Sequence, residues 1–279
     1  MTIPNRIKSE LRAGRTVFGT WSNLSSPSAL NVIGQSGLDF VIIDMEHGPT
    51  SFETAEMQLY ATESAGCTPI IRLGEGSDTT ILHALDIGVQ SLLVSQVATP
   101  EEAQRIVRAS KYFPDGNRGL SPYTRNHGYS DANLAEKLHR ANEEMLVGVL
   151  VEGEAGMGNL EKIAQTPGLD MIYLGIFDIS MAVGVPGDVR HPKVVKMVRD
   201  CVRVIEGHGL AAGSVAPDRE YLKLLHEAGF RFLSYRVDSA VLREGFATAC
   251  SWYEELCVQP DSGKGVRRQP GTKSPKGGS

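Results

Sequence analysis

The sequence predicts an α/β protein built as a single (β/α)8 barrel, a parallel eight-stranded TIM barrel. Three observations support this. Eight short runs of β-branched and apolar residues are separated by amphipathic helical patterns, and many of those patterns end in a glycine. The runs are nearly continuous in apolar residues, which is typical of parallel strands buried on both faces. A chain of 279 residues is also close to the usual length of such a barrel.

The predicted strands are each bounded by turn-forming residues. In chain order they are Val17–Asn23, Phe40–Glu46, Thr68–Leu73, Ser91–Val97, Met145–Glu152, Met171–Asp178, Ala211–Ala216 and Phe232–Asp238.

The predicted helices fill the intervals between these strands. They are Ser28–Gln35, Thr54–Ser64, Thr79–Leu85, Pro100–Ser110, Asn159–Gln165, Lys193–Glu206, Arg219–Glu227 and, last, Val241–Leu256. The first follows Ser26-Pro27, a helix-start signature.

Several of the predicted turns from helix to strand contain a glycine. At this position the backbone is left-handed, a conformation that only glycine adopts at low cost. The examples are Gly37, Gly66, Gly88, Gly209 and Gly229.

A doubly wound open sheet is the alternative fold, but no Gly-rich phosphate loop follows the first strand. The long segment Lys111–Glu144 is expected to be an irregular functional loop.

Composition excludes several classes of protein. The net charge of −5 does not suit a nucleic-acid binder, and no apolar run is long enough to span a membrane. The polar N-terminus lacks a secretory h-region, so we expect a cytoplasmic protein with reduced thiols. We predict one barrel domain over residues 1–257 and a disordered basic tail over residues 258–279, rich in Pro, Gly and Ser.

In a barrel of this kind, catalytic residues lie at the carboxyl ends of the strands. Charged residues follow strand after strand there. They are Asp44, Glu46 and His47 after the second strand, Arg72 at the third, Glu152 at the fifth, Asp178 at the sixth and Arg236 at the eighth. The simpler interpretation of each residue alone is a surface ion pair.

Glu152 and Asp178 end adjacent strands, so their carboxylates can converge on one cation. Two carboxylates without cysteine or histidine suit a hard ion such as Mg²⁺ or Mn²⁺. General acid/base work by the same pair, as in a glycosidase, remains an alternative.

Arg72 is a candidate clamp for a carboxylate or an enolate, or a structural partner of Asp44 or Glu46. His47 is a candidate base that Asp86 would orient. No lysine lies at a strand end, which argues against a Schiff-base aldolase.

The motifs IIDMEHGPT, PIIRLGEG, LDIG, YFPDGNRG, VLVEGEAGMGNL and LGIFDIS occur in this order. Together they resemble the HpcH/HpaI aldolase/citrate lyase family, over roughly Phe18 to Phe246. The resemblance implies a (β/α)8 barrel and a homo-oligomer, a hexamer or trimer of dimers, with exchanged C-terminal helices.

The resemblance also implies site roles. Glu152 and Asp178 match the ligands of a divalent ion (Mg²⁺ or Mn²⁺, with Co²⁺ as a further candidate). Arg72 matches the arginine that holds a 2-oxo acid and its enolate, and His47 matches the base, paired with Asp86. Asp44, with Glu46 beside it, corresponds to a supporting acid behind the site. The implied reaction forms or cleaves 4-hydroxy-2-oxo acids through a pyruvate enolate, with an aldehyde as the second substrate.

The chain departs from the family pattern near the expected substrate. Gly175-Ile176-Phe177-Asp178 carries Ile and Phe where the family has Pro and a small residue, and Leu150 replaces a glutamine. Arg236 adds a cation suited to an acidic acceptor. Two alternatives therefore stay open: condensation of the enolate with a thioester or oxaloacetate decarboxylation, and a non-catalytic barrel that binds an acidic metabolite.

Overall fold

The computed structural model describes residues 4–258 as a closed barrel of eight parallel strands with helices around it. The strands are β1 (Val17–Ser22), β2 (Phe40–Asp44), β3 (Thr68–Leu73), β4 (Ser91–Val94), β5 (Leu146–Val151), β6 (Met171–Leu174), β7 (Ala211–Ala216) and β8 (Phe232–Val237). Each pairs with the next in parallel, and β8 closes on β1. The predicted (β/α)8 fold is confirmed.

In chain order, the helices are α1 (Arg6–Arg12), α2 (Pro27–Gly34), α3 (Phe52–Ser64), α4 (Asp78–Asp86), α5 (Pro100–Ser110), α6 (Leu134–Glu144), α7 (Gly153–Gly158), α8 (Leu160–Ala164), α9 (Ile176–Ala182), α10 (Pro192–Gly207), α11 (Arg219–Ala228) and α12 (Asp238–Cys257). Eight of these helices match the predicted helical patterns, and four others, α1, α6, α7 and α9, were not predicted.

Two apolar layers explain the near-continuous apolar strands. Inward-pointing side chains fill the barrel, where the rings of Phe40 and Phe232 stack with centroids 4.1 Å apart. Alternate residues such as Val41 and Ile43 point outward and pack beneath the helices. Because both faces of each parallel strand are buried, its sequence is apolar nearly throughout and does not alternate between apolar and polar residues.

The five repeated glycines adopt the backbone that the sequence predicts. The φ angles of Gly37, Gly66, Gly88, Gly209 and Gly229 lie between +74° and +111°. A side chain there would strain the turn that returns each helix to the barrel.

Several strands end earlier than the sequence predicts. β2 stops at Asp44, β4 at Val94, β5 at Val151 and β6 at Leu174. The run after β6 stays apolar because it turns into α9, which buries Ile176 and Ile179 on one side. Asp178 therefore lies in the first turn of a helix, four residues beyond the strand end.

The long segment Lys111–Glu144 holds a helix that the sequence did not predict, α6, and a 3-10 turn at Arg125–His127. Buried polar pairs fix it: Asn142 accepts from the backbone N–H of Tyr112, and the Tyr112 hydroxyl lies 2.8 Å from His127 Nε2.

The chain forms two compact units that divide after Ala240. The second begins at Val241, and nearly all of α12 is exposed. The predicted boundary at 257/258 stays a prediction, and the basic tail falls almost entirely outside the described residues. Within residues 4–258, no helix is both long enough and apolar enough to cross a membrane.

Candidate active site

A cavity of about 710 Å³ opens at the carboxyl ends of the strands. Every predicted site residue except Asp86 lines it. The predicted residues in its wall are Asp44, Glu46, His47, Arg72, Glu152, Gly175, Ile176, Phe177, Asp178 and Arg236. The barrel therefore brings together side chains that lie up to 192 residues apart in the sequence.

Glu152 and Asp178 converge above Gly175. Glu152 follows β5 directly, and Asp178 reaches the same place from the first turn of α9. A Cβ on Gly175 would lie 3.0 Å from Glu152 Oε2 and 3.4 Å from Asp178 Oδ2. Burial and the neighbouring Asp178 carboxylate raise the pKa of Glu152 to about 7, against the opposing charge of Arg72. Two carboxylates this close cannot both ionise without a shared proton or cation between them.

The charge balance of the cavity fits a divalent ion. Four carboxylates line it against two arginines. An anionic substrate would enter a site that already carries excess negative charge, and one divalent cation removes that excess. No cluster of three or more acidic, histidine or cysteine ligands occurs among residues 4–258. Glu152 and Asp178 would thus hold the ion with substrate or water oxygens completing its coordination, which suits Mg²⁺.

Arg72 is held from three sides. Its Nε donates to Ser95 Oγ at 2.7 Å and its Nη1 to Asp44 Oδ2 at 3.3 Å, while Nη2 forms an ion pair with Glu46 Oε2. The guanidinium also lies over Trp21, 5.1 Å from the ring centroid. Since a guanidinium carries five N–H groups, donors remain for a substrate oxygen.

Asp44 supports both Arg72 and the turn that follows β2. Its Oδ1 accepts hydrogen bonds from the backbone N–H of Glu46 at 3.0 Å and of His47 at 3.1 Å. These bonds fix the backbone from which His47 projects at the cavity wall. Asp44 is 5% exposed, so its buried carboxylate depends on these partners.

Asp86 is placed elsewhere. It ends α4, five residues before β4 begins, and so lies toward the amino ends of the strands. Its Oδ1 accepts from Arg118 Nη2 at 2.8 Å, and it does not line the cavity that contains His47. Within one chain, the structure does not bring the predicted His47–Asp86 pair together, because a barrel helix carries the chain away from the catalytic end.

The floor of the cavity is formed by residues that are not among the predicted site residues. Trp21 Nε1 lies 2.9 Å from Tyr173 Oη and 3.0 Å from Ser234 Oγ, and the two hydroxyls are 2.7 Å apart. Burial raises the pKa of Tyr173. An aromatic residue in an apolar strand looks like ordinary core, so no sequence signal marks these positions.

Gln96, near the end of the fourth predicted strand, lines the cavity, although the sequence assigned it no role. Gln96 Nε2 donates to Glu46 Oε1 at 2.6 Å across the cavity mouth. Leu150, where the family pattern has a glutamine, lines the same cavity and is 3% exposed.

Two residues shape the rim. Phe177, on α9, lines the cavity and remains 51% exposed. Arg236 projects from β8 with a left-handed φ of +43°, and its Nε donates to Pro217 O at 2.6 Å. Both are among the positions where the chain departs from the family pattern, and both line the cavity.

The family model for HpcH/HpaI aldolase/citrate lyase matches residues 17–244. The chain is 33% identical over 245 residues to a hydroxypyruvate/pyruvate aldolase of Chromohalobacter salexigens, covering 86% of this chain and 94% of that one.

Two solved structures share the fold. One is a family member from Burkholderia cenocepacia, with a TM-score of 0.84, 30% identity, and coverage of 90% and 99% of the two chains. The other is the citrate synthase SbnG, with a TM-score of 0.81, 29% identity, and coverage of 89% and 97%. This chain belongs to the HpcH/HpaI aldolase/citrate lyase family.

Proposed function

We propose that this protein is a metal-dependent carbon–carbon lyase, an aldolase that forms or cleaves 4-hydroxy-2-oxo acids through a pyruvate-type enolate. The observation that carries the proposal is the convergence of Glu152 and Asp178 beside Arg72 in one cavity. The similarity to a hydroxypyruvate/pyruvate aldolase supports it.

In the cleavage direction, His47 accepts the proton of the substrate's 4-hydroxyl, directly or through water. The C3–C4 bond then breaks, an aldehyde leaves, and the electron pair remains as the enolate of pyruvate. Protonation of C3 completes the reaction. Arg72 donates hydrogen bonds to the oxygen on which negative charge develops, and Ser95 and Asp44 hold it in place beforehand.

Glu152 and Asp178 would hold the divalent ion, for which Mg²⁺, Mn²⁺ and Co²⁺ are the candidates. When bound, such an ion supplies the positive charge that lets an anionic 2-oxo acid bind and that stabilises its enolate. Trp21 and Tyr173 close the floor and exclude water from beneath the reacting carbons.

The test is synthesis from pyruvate and a panel of short aldehydes, some carrying a second carboxylate, with product detected by mass spectrometry. We expect a 4-hydroxy-2-oxo acid with Mg²⁺ or Mn²⁺ and none with EDTA. Equal yield with EDTA would contradict metal dependence.

A second candidate is condensation of the enolate with a thioester. It is supported by the similarity to a citrate synthase structure and by Arg236 at the rim. An assay with oxaloacetate and an acyl-CoA distinguishes the two, because only condensation releases free CoA. If the protein neither binds a divalent ion nor reacts with either partner, the non-catalytic barrel that binds an acidic metabolite becomes the better account.

We also propose that copies of this chain assemble through α12. The helix exposes Val241, Leu242, Phe246, Trp252, Tyr253 and Leu256. That apolar surface on a 20-residue helix suits a second copy, as the family resemblance implies. Light scattering should show a homo-oligomer, and Phe246→Asp with Trp252→Asp should shift it toward monomer. A wild-type monomer at micromolar concentration would contradict this proposal.

A further inference from the structure

Gln96 has an unusual backbone conformation. It follows β4 by two residues and has φ +59°, in the left-handed region that residues with a Cβ rarely adopt. Outliers of this kind persist where surrounding contacts impose them, often at functional sites. Here the side chain crosses the mouth of the cavity to reach Glu46, 50 residues earlier in the chain.

Glu46 depends on that contact. One of its oxygens, Oε1, accepts the 2.6 Å hydrogen bond from Gln96. The other, Oε2, is buried beside Arg72, yet within the described part of the chain it accepts no aligned hydrogen bond. Glu46 is thus held by an ion pair with Arg72 at one oxygen and by the hydrogen bond from the Gln96 amide at the other.

We propose that Gln96 is a positioning residue for the enolate-forming step: its amide orients Glu46, which in turn sets the direction of the Arg72 guanidinium toward the substrate oxygen. The inference rests on the proposed function, because it assigns Gln96 to the reaction of that same cavity. Ser95 and Asp44 hold the Nε and Nη1 side of Arg72, and Gln96 acts through Glu46 on the Nη2 side.

The first test separates the amide from the backbone. Gln96→Leu keeps a side chain and loses the donor, whereas Gln96→Gly also relieves the left-handed strain. We expect both to lower kcat for pyruvate methyl-proton exchange by about tenfold or more, the usual effect of losing a hydrogen bond to a charged group. Gln104→Leu, at an exposed position on α5, is the matched control and should keep the wild-type rate. A wild-type kcat in Gln96→Gly would overturn the proposal, since the residue would then serve only the turn.

The second test measures how the exchange rate depends on pH, because a purely structural role of Gln96 would leave that dependence unchanged. In Gln96→Glu the new carboxyl faces Glu46, near the charges of Arg72 and Asp44, and the two facing carboxylates cannot both ionise without repulsion. When protonated, the new carboxyl replaces the amide as donor. We therefore expect the rate of Gln96→Glu relative to the wild type to fall toward that of Gln96→Leu as the pH is raised. A pH profile parallel to that of the wild type would contradict the proposal.

Failure of the inference differs from failure of the proposed function. If the wild type catalyses no exchange with any divalent ion, the proposed function fails and the inference that rests on it fails with it. If the wild type is active, the double variant Glu46→Gln, Gln96→Leu is compared with the two single variants. If the fold-decrease in its kcat equals the product of the two single fold-decreases, Gln96 does not act through Glu46. Acting through Glu46 predicts that the second change adds little.

Discussion

Replacing Arg72 by alanine tests the core of the proposed chemistry. The substitution removes the guanidinium that faces the reacting oxygen and leaves two buried carboxylates, Asp44 and Glu46, without their cation. Loss of one donor to a developing oxyanion costs about 10²–10³ in rate. We expect kcat for pyruvate proton exchange to fall by that factor.

Stability changes as well, and the two effects need separation. The Arg72 side chain is 9% exposed and Asp44 8%. Removing one member of a buried ion pair costs about 3–5 kcal/mol, which lowers the melting temperature of a domain this size by about 6–20 °C. A fall within that range still leaves a folded protein to assay below its transition.

Two further variants make the control. Arg72→Met combined with Glu46→Gln removes one of the stranded charges, so it should recover part of the melting temperature and none of the rate. Arg72→Lys keeps the charge without the planar fork and should give an intermediate rate. Exchange by the folded Arg72→Ala protein close to that of the wild type would refute the assignment.

Other predictions concern the acids, the base and the rim. Glu152→Gln or Asp178→Asn should each abolish Mg²⁺ binding measured by calorimetry while the fold, followed by circular dichroism, persists; undiminished affinity would argue against the metal site. Because the pKa of Glu152 is raised from 4.5 to about 7, its stabilising contribution is complete below about pH 4.5 and lost as pH rises through about 7. With EDTA, the melting temperature should thus fall between about pH 5 and pH 8, and both Mg²⁺ and Glu152→Gln should reduce that fall; a slope unaffected by either would contradict this. His47→Gln should lower aldol cleavage much more than metal binding, since the residue moves the hydroxyl proton. Phe177→Ala should admit bulkier aldehydes, seen as a higher kcat/KM for the larger member of a matched aldehyde pair.

The sequence was sufficient to predict the barrel because its signals are local and repeated. Most helix-to-strand turns carry a glycine such as Gly37 or Gly229, and both adopt the left-handed backbone that the position requires. Strand ends were less certain. The run after Leu174 stays apolar, yet it forms α9. Its buried residues lie on one face of a helix and not on the two faces of a strand.

The candidate site divides in the same way. Charged residues that follow apolar strands, such as Arg72 and Glu152, stand out in a sequence, and the cavity contains them. Trp21 and Tyr173 do not stand out, because a buried aromatic has the same appearance whether it floors a site or fills a core. Asp86 is the converse case. The sequence motif marks it as a candidate site residue, but the path of the chain places it away from His47.

Incorporation of deuterium into the pyruvate methyl group, followed by NMR in D₂O, tests the central claim most directly because it requires no second substrate. The wild type should exchange the methyl protons with Mg²⁺ and stop with EDTA, and Glu152→Gln should not exchange them under either condition. Exchange that persists in EDTA, or its absence from a folded wild type supplied with Mg²⁺, Mn²⁺ and Co²⁺ in turn, would contradict the account of Glu152, Asp178 and Arg72 as the site of enolate formation.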